Sequence, residues 1–241
     1  MFIDCHTHIL NGIDDGPQNI EESYRMIDEE ITNGTTAIWF TPHFNAKYDS
    51  FEKFISVRDK AAETIAGKYS DFDISFIIAS EVMLCDELFL LNDINALCIN
   101  GGGNILVEFS FGSSITDVKR MLNKLICSYG KTPIIAHIER FKEIFYSNKE
   151  ITNLISMGCK LQMNTKILES SILDSYMAFK RIQKEEIMLL GTDCHNMGTR
   201  PPNFVKAINN LSNVLGNKAL DRLNRNAVEL VSEYKEKRIF V

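Results

Sequence analysis

Five histidines occur in 241 residues, and each lies at or just beyond the end of a short apolar run. They are His6 and His8 in Asp4-Cys5-His6-Thr7-His8, His43 in Thr41-Pro42-His43, His137 in Ile135-Ala136-His137, and His195 in Asp193-Cys194-His195. Neutral imidazole is the commonest protein metal ligand. A chain that keeps all its histidines for such places reads as a metalloenzyme. His6 and His8 are two apart. On a strand they share one face with Cα atoms about 6.5–7 Å apart, close enough to chelate one ion.

Carboxylates recur at matching places: Asp14 and Asp15 after the first run, Glu81 after the third, Glu108 inside the fourth and Asp193 after the seventh. Glu108 is the most telling, because it interrupts Ile105-Leu106-Val107-Glu108-Phe109. An unpaired charge buried there is costly, so it calls for a cation, either a metal ion or an arginine. Asp14-Asp15-Gly16-Pro17 is also strong turn chemistry. Asp193 and His195 repeat the spacing of two. Mixed imidazole and carboxylate donors suit zinc, manganese or iron better than a thiolate site would.

The elements that must position these groups follow from the hydrophobic pattern. Apolar runs over 2–9, 36–41, 74–79, 105–109, 133–137, 160–163 and 187–192 predict seven strands, most of them buried on both faces. Asn19 with Glu22 resembles a capping box, Ile20, Tyr24, Ile27 and Ile31 form one stripe, and Asn33-Gly34 closes that helix. Further helices are expected near 51–67, 86–97, 115–129, 149–157, 168–184, 202–215 and 218–235. Alternating strands and helices imply parallel strands with right-handed crossovers. Seven units favour a closed or nearly closed α/β barrel, with the chemistry at the carboxyl ends of its strands. No linker or repeat divides the chain, so one domain over 1–241 is expected.

The net charge of −6 does not suggest a broad nucleic-acid surface. No apolar stretch is long enough for a membrane span, and the amino terminus lacks the pattern of a signal peptide. Six cysteines are scattered without a Cys-x-x-Cys pair, which looks like reduced, cytoplasmic usage.

Taken together, these residues resemble the PHP (polymerase and histidinol phosphatase) superfamily. Its pattern is met by His6 and His8, His43, Glu81, His137, and Asp193 with His195. More narrowly, Asp14-Asp15-Gly16-Pro17, Thr41-Pro42-His43, Val107-Glu108-Phe109, Ala136-His137-Ile138-Glu139-Arg140 and Arg200-Pro201-Pro202 are similar to the bacterial PHP-type protein-tyrosine phosphatases. Those are encoded with capsule and exopolysaccharide genes and act on a bacterial tyrosine kinase. The resemblance implies a distorted (β/α)7 barrel holding three divalent ions, manganese first, with iron or zinc as alternatives. By it, His6, His8, Glu81 and Asp193 hold one ion. Glu81 bridges to a second, held with Glu108 and His137. Asp14, or its neighbour Asp15, holds the third with His43 and His195. Arg140 and Arg200 offer planar forks to phosphate oxygens. The implied partner is the phosphotyrosine tail of the kinase. Tyr48 and Phe44 are candidates for the rim around it.

Other readings of the same residues stay open. The substrate could be histidinol phosphate or another small phosphomonoester. The chain could be a metal-bound scaffold that binds a kinase without turnover. Cys194 to Arg200 also satisfies the Cys-x5-Arg signature of thiol-based phosphatases. That loop has one glycine, however, and Pro201-Pro202 follows the arginine where a hydroxyl is usual. The thiol reading also leaves four other histidines without a role.

Overall fold

The computed structural model of the protein describes residues 2–232 and the backbone of 239–240. The strands are β1 (Phe2–Thr7), β2 (Thr35–Phe40), β3 (His43–Phe44), β4 (Ser75–Ile78), β5 (Glu81–Met83), β6 (Asn104–Glu108), β7 (Thr132–Ile135), β8 (Lys160–Asn164), β9 (Leu189–Gly191) and β10 (Ile239–Phe240). The α-helices are α1 (Ile20–Thr32), α2 (Phe51–Lys68), α3 (Ile115–Tyr129), α4 (Lys142–Phe145), α5 (Asn148–Ser156), α6 (Ile172–Gln183), α7 (Val205–Leu215) and α8 (Asn217–Ser232).

The ten strands make seven parallel staves and one antiparallel addition. β1 pairs with β2, and β2 with β4. β3 pairs with β5, and β5, β6, β7, β8 and β9 follow in order. β2 and β3 are one stave interrupted at Thr41-Pro42, since proline has no N–H for the ladder. β4 and β5 are a second, interrupted at Ala79-Ser80. The ring closes between the first and last staves. His8 N donates to Cys194 O at 2.9 Å and Asp193 N to His6 O at 2.8 Å. Gly191 is required at this seam, because a Cβ there would lie 2.5 Å from the His6 Cβ. β10 runs antiparallel along β4.

Residues alternate between two faces, as strands demand. Ile3, Trp39, Ile77, Leu106, Ile134 and Leu189 belong to one buried cluster drawn from six strands. Ile38, Phe40, Phe76 and Ile78 face the other way, against Met26 and Ile27 of α1 and Ala62 and Ile65 of α2. Local chemistry sets the helix starts. Asn19 accepts from Glu22 N on α1, and Ser114 and Ser171 cap α3 and α6 in the same way.

Two expected helices differ. Over 86–97 the chain makes 3₁₀ turns at Asp86–Leu90 and Asn95–Leu97, because Asp93 Oδ1 accepts from Asn95 N at 2.7 Å and turns the backbone between them. The expected 168–184 helix is split. Thr165–Glu169 is a 3₁₀ turn, and the Ser171 cap restarts the chain as α6. The end of the expected 218–235 helix, 233–235, lies outside the described residues.

Candidate metal centre

The two interrupted staves aim ligands into the barrel mouth. β3 begins on His43 and β5 on Glu81, and the two are register partners. The Ala79-Ser80 break is held from outside by Arg58, a fully buried residue of α2. Its Nη1 donates to Ser80 Oγ at 2.9 Å and to Ala96 O at 2.8 Å. His137 and Asp193 end their staves in left-handed backbone, at φ 31° and 57°. Asp193 and His195 therefore do not share the extended geometry that a spacing of two suggests. They meet by a turn instead.

All five histidines converge with four carboxylates. Glu81 is the hub. Its Oε2 lies 3.1 Å from His6 Nε2, 3.2 Å from His8 Nε2 and 3.1 Å from His43 Nδ1, and its Oε1 lies 2.7 Å from His137 Nε2. Glu108 faces His43 Nδ1 at 3.1 Å and His137 Nε2 at 3.6 Å. Asp193 Oδ1 lies 3.5 Å from His8 Nε2 and 3.8 Å from His6 Nε2. On the outer side, Asp15 Oδ1 lies 3.1 Å from His195 Nε2 and 3.7 Å from His43 Nε2.

Asp14 and Asp15 separate clearly. Asp14 Oδ2 accepts from His8 Nδ1 at 2.7 Å and from His43 N at 3.0 Å. Asp14 therefore orients ligands from behind, and Asp15 supplies the oxygen that faces His43 and His195. The resemblance offered either; Asp15 is the one whose oxygen lies near both imidazoles. Gly16 makes the turn possible, since a Cβ would meet His8 O at 2.3 Å.

The donor set fits divalent cations. His8 Nδ1 donates to Asp14, His195 Nδ1 to Asp193 O at 3.0 Å, and His6 Nδ1 to Gln162 Oε1 at 3.3 Å. Each ring's proton is thus held on the far nitrogen, and each Nε2 lone pair points inward. Glu81 Oε2 and His195 Nε2 are buried without a hydrogen-bond partner, although nitrogens or oxygens surround both. Converging nitrogen and oxygen donors of this kind are what a metal ion satisfies. The charges agree. Burial pushes the His8 imidazole down, yet Asp14 and Glu81 outweigh it and raise its pKa to about 10. Burial disfavours the Asp193 carboxylate, yet His6 and His8 hold it down at about 2. A field that holds protons this firmly also holds a divalent cation, which displaces them.

Arg140 and Arg200 both reach Asp193, and Arg200 Nη1 also lies 3.9 Å from Asp15 Oδ2. Arg140 Nη2 pairs with Asp193 Oδ2, and Arg200 Nη2 with Oδ1 at 2.7 Å. Both are partly exposed, so their guanidinium groups stand at the mouth. Glu139 points inward and accepts from Asn164 N at 3.1 Å; burial raises it to about 7.

Sequence reasoning missed the supporting layer. Gln162 Oε1 also accepts from His137 N at 2.6 Å, so one amide fixes two ligands. Its Nε2 donates to Asn164 Oδ1 at 3.0 Å, and Asn164 Nδ2 donates to Asp193 Oδ2 at 2.8 Å. The signal was present: two amides interrupt the apolar stave Lys160-Leu161-Gln162-Met163-Asn164. The rim role of Phe44 and the thiol role of Cys194 fall away. Phe44 is buried against Phe51 and Phe54 and belongs to the core, not to a rim. Tyr48 is exposed. Cys194 is buried, with its thiol pushed well up by burial and by Asp4, the opposite of an activated nucleophile.

A sequence model of the family described as capsular polysaccharide synthesis, CpsB/CapC, matches residues 2–232. The chain belongs to this family. It is 29% identical over 219 residues to the tyrosine-protein phosphatase CpsB of Streptococcus agalactiae serotype III (strain NEM316), covering 86% of this chain and 88% of that one. It is 26% identical over 231 residues to the tyrosine-protein phosphatase YwqE of Bacillus subtilis (strain 168), covering 94% and 90%. Among solved structures, it superposes with a TM-score of 0.80 on one from a study of YwqE and of CpsB from Streptococcus pneumoniae, described as unique metal-dependent tyrosine phosphatases. That match has 23% identity and covers 98% of this chain and 97% of the other. The likeness shows that the expected distorted barrel is the fold of this CpsB/CapC member.

Proposed function

We propose that this CpsB/CapC member is a metal-dependent phosphomonoesterase that removes phosphate from tyrosine. The observation that carries the reading is the convergence of four imidazoles on Glu81, with His195, Glu108, Asp15 and Asp193 around them and two guanidinium groups beside them. In this reading His6, His8, Glu81 and Asp193 hold one ion, Glu81, Glu108 and His137 a second, and Asp15, His43 and His195 a third. Manganese is the proposed ion, and iron or zinc suit the same donors. Bound there, such ions supply Lewis acidity toward phosphate oxygens and an acidified water as nucleophile.

The chain's own residues do the rest. Arg140 and Arg200 bind non-bridging phosphate oxygens through bidentate, charge-assisted hydrogen bonds and fix the ester's orientation. Asp14, Gln162 and Asn164 hold the ligand set rigid. A tyrosine phenolate has a pKa near about 10, so it departs with less protonation than a serine alkoxide needs. The named activities of the relatives support the choice of tyrosine, and the family description supports a role in capsular polysaccharide synthesis. The proposed partner is the phosphorylated tail of a bacterial tyrosine kinase, met in the cytoplasm. Among the described residues, no helix is long and apolar enough to cross a membrane.

The test is hydrolysis of phosphotyrosyl peptide, phosphoseryl peptide and histidinol phosphate by metal-replete and chelator-stripped protein. Metal-dependent release from phosphotyrosine alone is expected. Preference for histidinol phosphate would move the substrate and keep the metal centre. Activity that survives stripping would overturn the metal assignment.

A further inference from the structure

A groove of about 390 Å³ opens beside the metal centre, between the loop after β6 and the segment after β7. Phe109, Phe111, Ser113, Ser114, Arg140 and Phe141 are among its lining residues. Three rings step outward from the candidate ligands. The His137 ring lies 6.2 Å from Phe141, and Phe141 lies 5.7 Å from Phe111 at 31°. Phe109 is buried and stacks beneath Phe141 at 3.8 Å. Phe111 is 74% exposed. A lone exposed phenylalanine needs no explanation, but this one is presented by a built turn. Ser113 N donates to Ser110 O at 3.1 Å, and Gly112 takes the positive φ of 86° that suits glycine at the third position. The turn sets the Phe111 ring over a stack that is packed from below.

We infer that this groove is the aryl subsite of the phosphatase: Phe111 and Phe141 receive the phenyl ring of phosphotyrosine while Arg140 holds its phosphate. The inference rests on the proposed activity and names what selects tyrosine. In an aryl phosphate one oxygen joins ring to phosphorus, so a phosphate at Arg140 places the ring within a few ångströms, on the groove side. Arg140 lines the groove and pairs with Asp193, so one side chain borders both sites. Offset and tilted ring contacts are favourable. A phosphoserine offers one methylene there and leaves the stack uncovered.

The test compares two ligands that share a phosphorus oxyanion and differ in the ring. Binding of phenylphosphonate and of inorganic phosphate to metal-loaded protein is measured by calorimetry for the wild type, Phe111→Ala and Phe111→Tyr. KM for a phosphotyrosyl peptide is measured alongside. Phe111→Ala is expected to weaken phenylphosphonate and raise KM about three- to tenfold, the effect of one aromatic contact. Phosphate binding and metal content should hold, and Phe111→Tyr should restore phenylphosphonate binding. Equal shifts for both ligands, or none for either, would overturn the subsite. A wild type that prefers phenylphosphonate through Phe111 but fails to hydrolyse phosphotyrosine would sink the assigned activity and keep the aryl site.

Discussion

The buried Glu81 carboxylate lies among four imidazoles, those of His6, His8, His43 and His137. Between β1 and α1, Asp4 and Glu30 are buried just as completely, but among hydroxyls and backbone N–H groups. Asp4 accepts from Thr192 N at 2.9 Å, from Thr192 Oγ1 at 2.6 Å and from His6 N at 3.2 Å. Glu30 accepts from Thr35 Oγ1, and burial beside Asp4 raises its carboxyl well above the usual range. With Cys194 these atoms lie within 4.8 Å of one another, as close as the candidate ligands do. Burial and acidity are thus common to both clusters. What differs is the donor on the other side. His6, His8 and His195, each with its far nitrogen on an acceptor, can turn lone pairs toward a cation in the first cluster. Hydroxyls and amides offer protons to the second cluster, and burial of Asp4 and Glu30 side by side raises both carboxyls. An acidic cluster becomes a metal site through the neighbours it has, not through its carboxylates alone.

The largest effect that would break this contrast is at Glu81. On the assignment above, Glu81→Gln should lower turnover and bound metal by at least about a hundredfold, read by phosphate release and elemental analysis. Full metal content in that variant would remove Glu81 as the hub. Gln162→Leu comes next. Losing the partner that fixes His6 and His137 should weaken metal affinity about ten- to hundredfold while the fold persists, checked by competition with a chelator.

The second cluster should respond in stability instead. Asp4→Ala leaves buried donors unanswered and should cost about 1–3 kcal/mol in denaturant unfolding, with metal content retained. Glu30→Gln sharpens the comparison through pH. The Glu30 carboxyl is raised in the folded state, so its stabilisation is complete below its unfolded value of 4.5 and fades as pH climbs toward the folded one. Wild-type stability should therefore fall relative to Glu30→Gln above that pH, by at most about 1.4 kcal/mol per pH unit. The smallest effect is expected at Cys194. Cys194→Ser should leave phosphatase turnover intact, and loss of turnover with metal still bound would revive the thiol mechanism.

The candidate ligands on the staves were legible because they interrupt or end an apolar pattern. Glu108 inside an apolar stave, and histidines at stave ends, are expensive unless they serve a cation. The seven staves were legible for the same reason. Less visible were features set by turns and partners. The choice between Asp14 and Asp15 depends on the way one turn faces. The 86–97 segment has helical composition, but Asp93 captures a backbone N–H and ends it. β3 and β5 are too short to show a period. Gln162 and Asn164 were readable as polar interruptions, yet only the packed barrel shows that they face ligands. Arg58 acts through a break in another strand, and nothing local in α2 announces it.

Thr192 and Asp4 are bonded across 188 positions of chain, and Asp193 and His195 meet His6 and His8 at that same seam. The ribosome makes one half of this meeting 188 positions before the other. A nascent chain therefore carries His6 and His8 without these partners while the intervening residues are made. The proposed enzyme can be armed only once the barrel has closed, and an ion held at the seam would staple the first stave to the last.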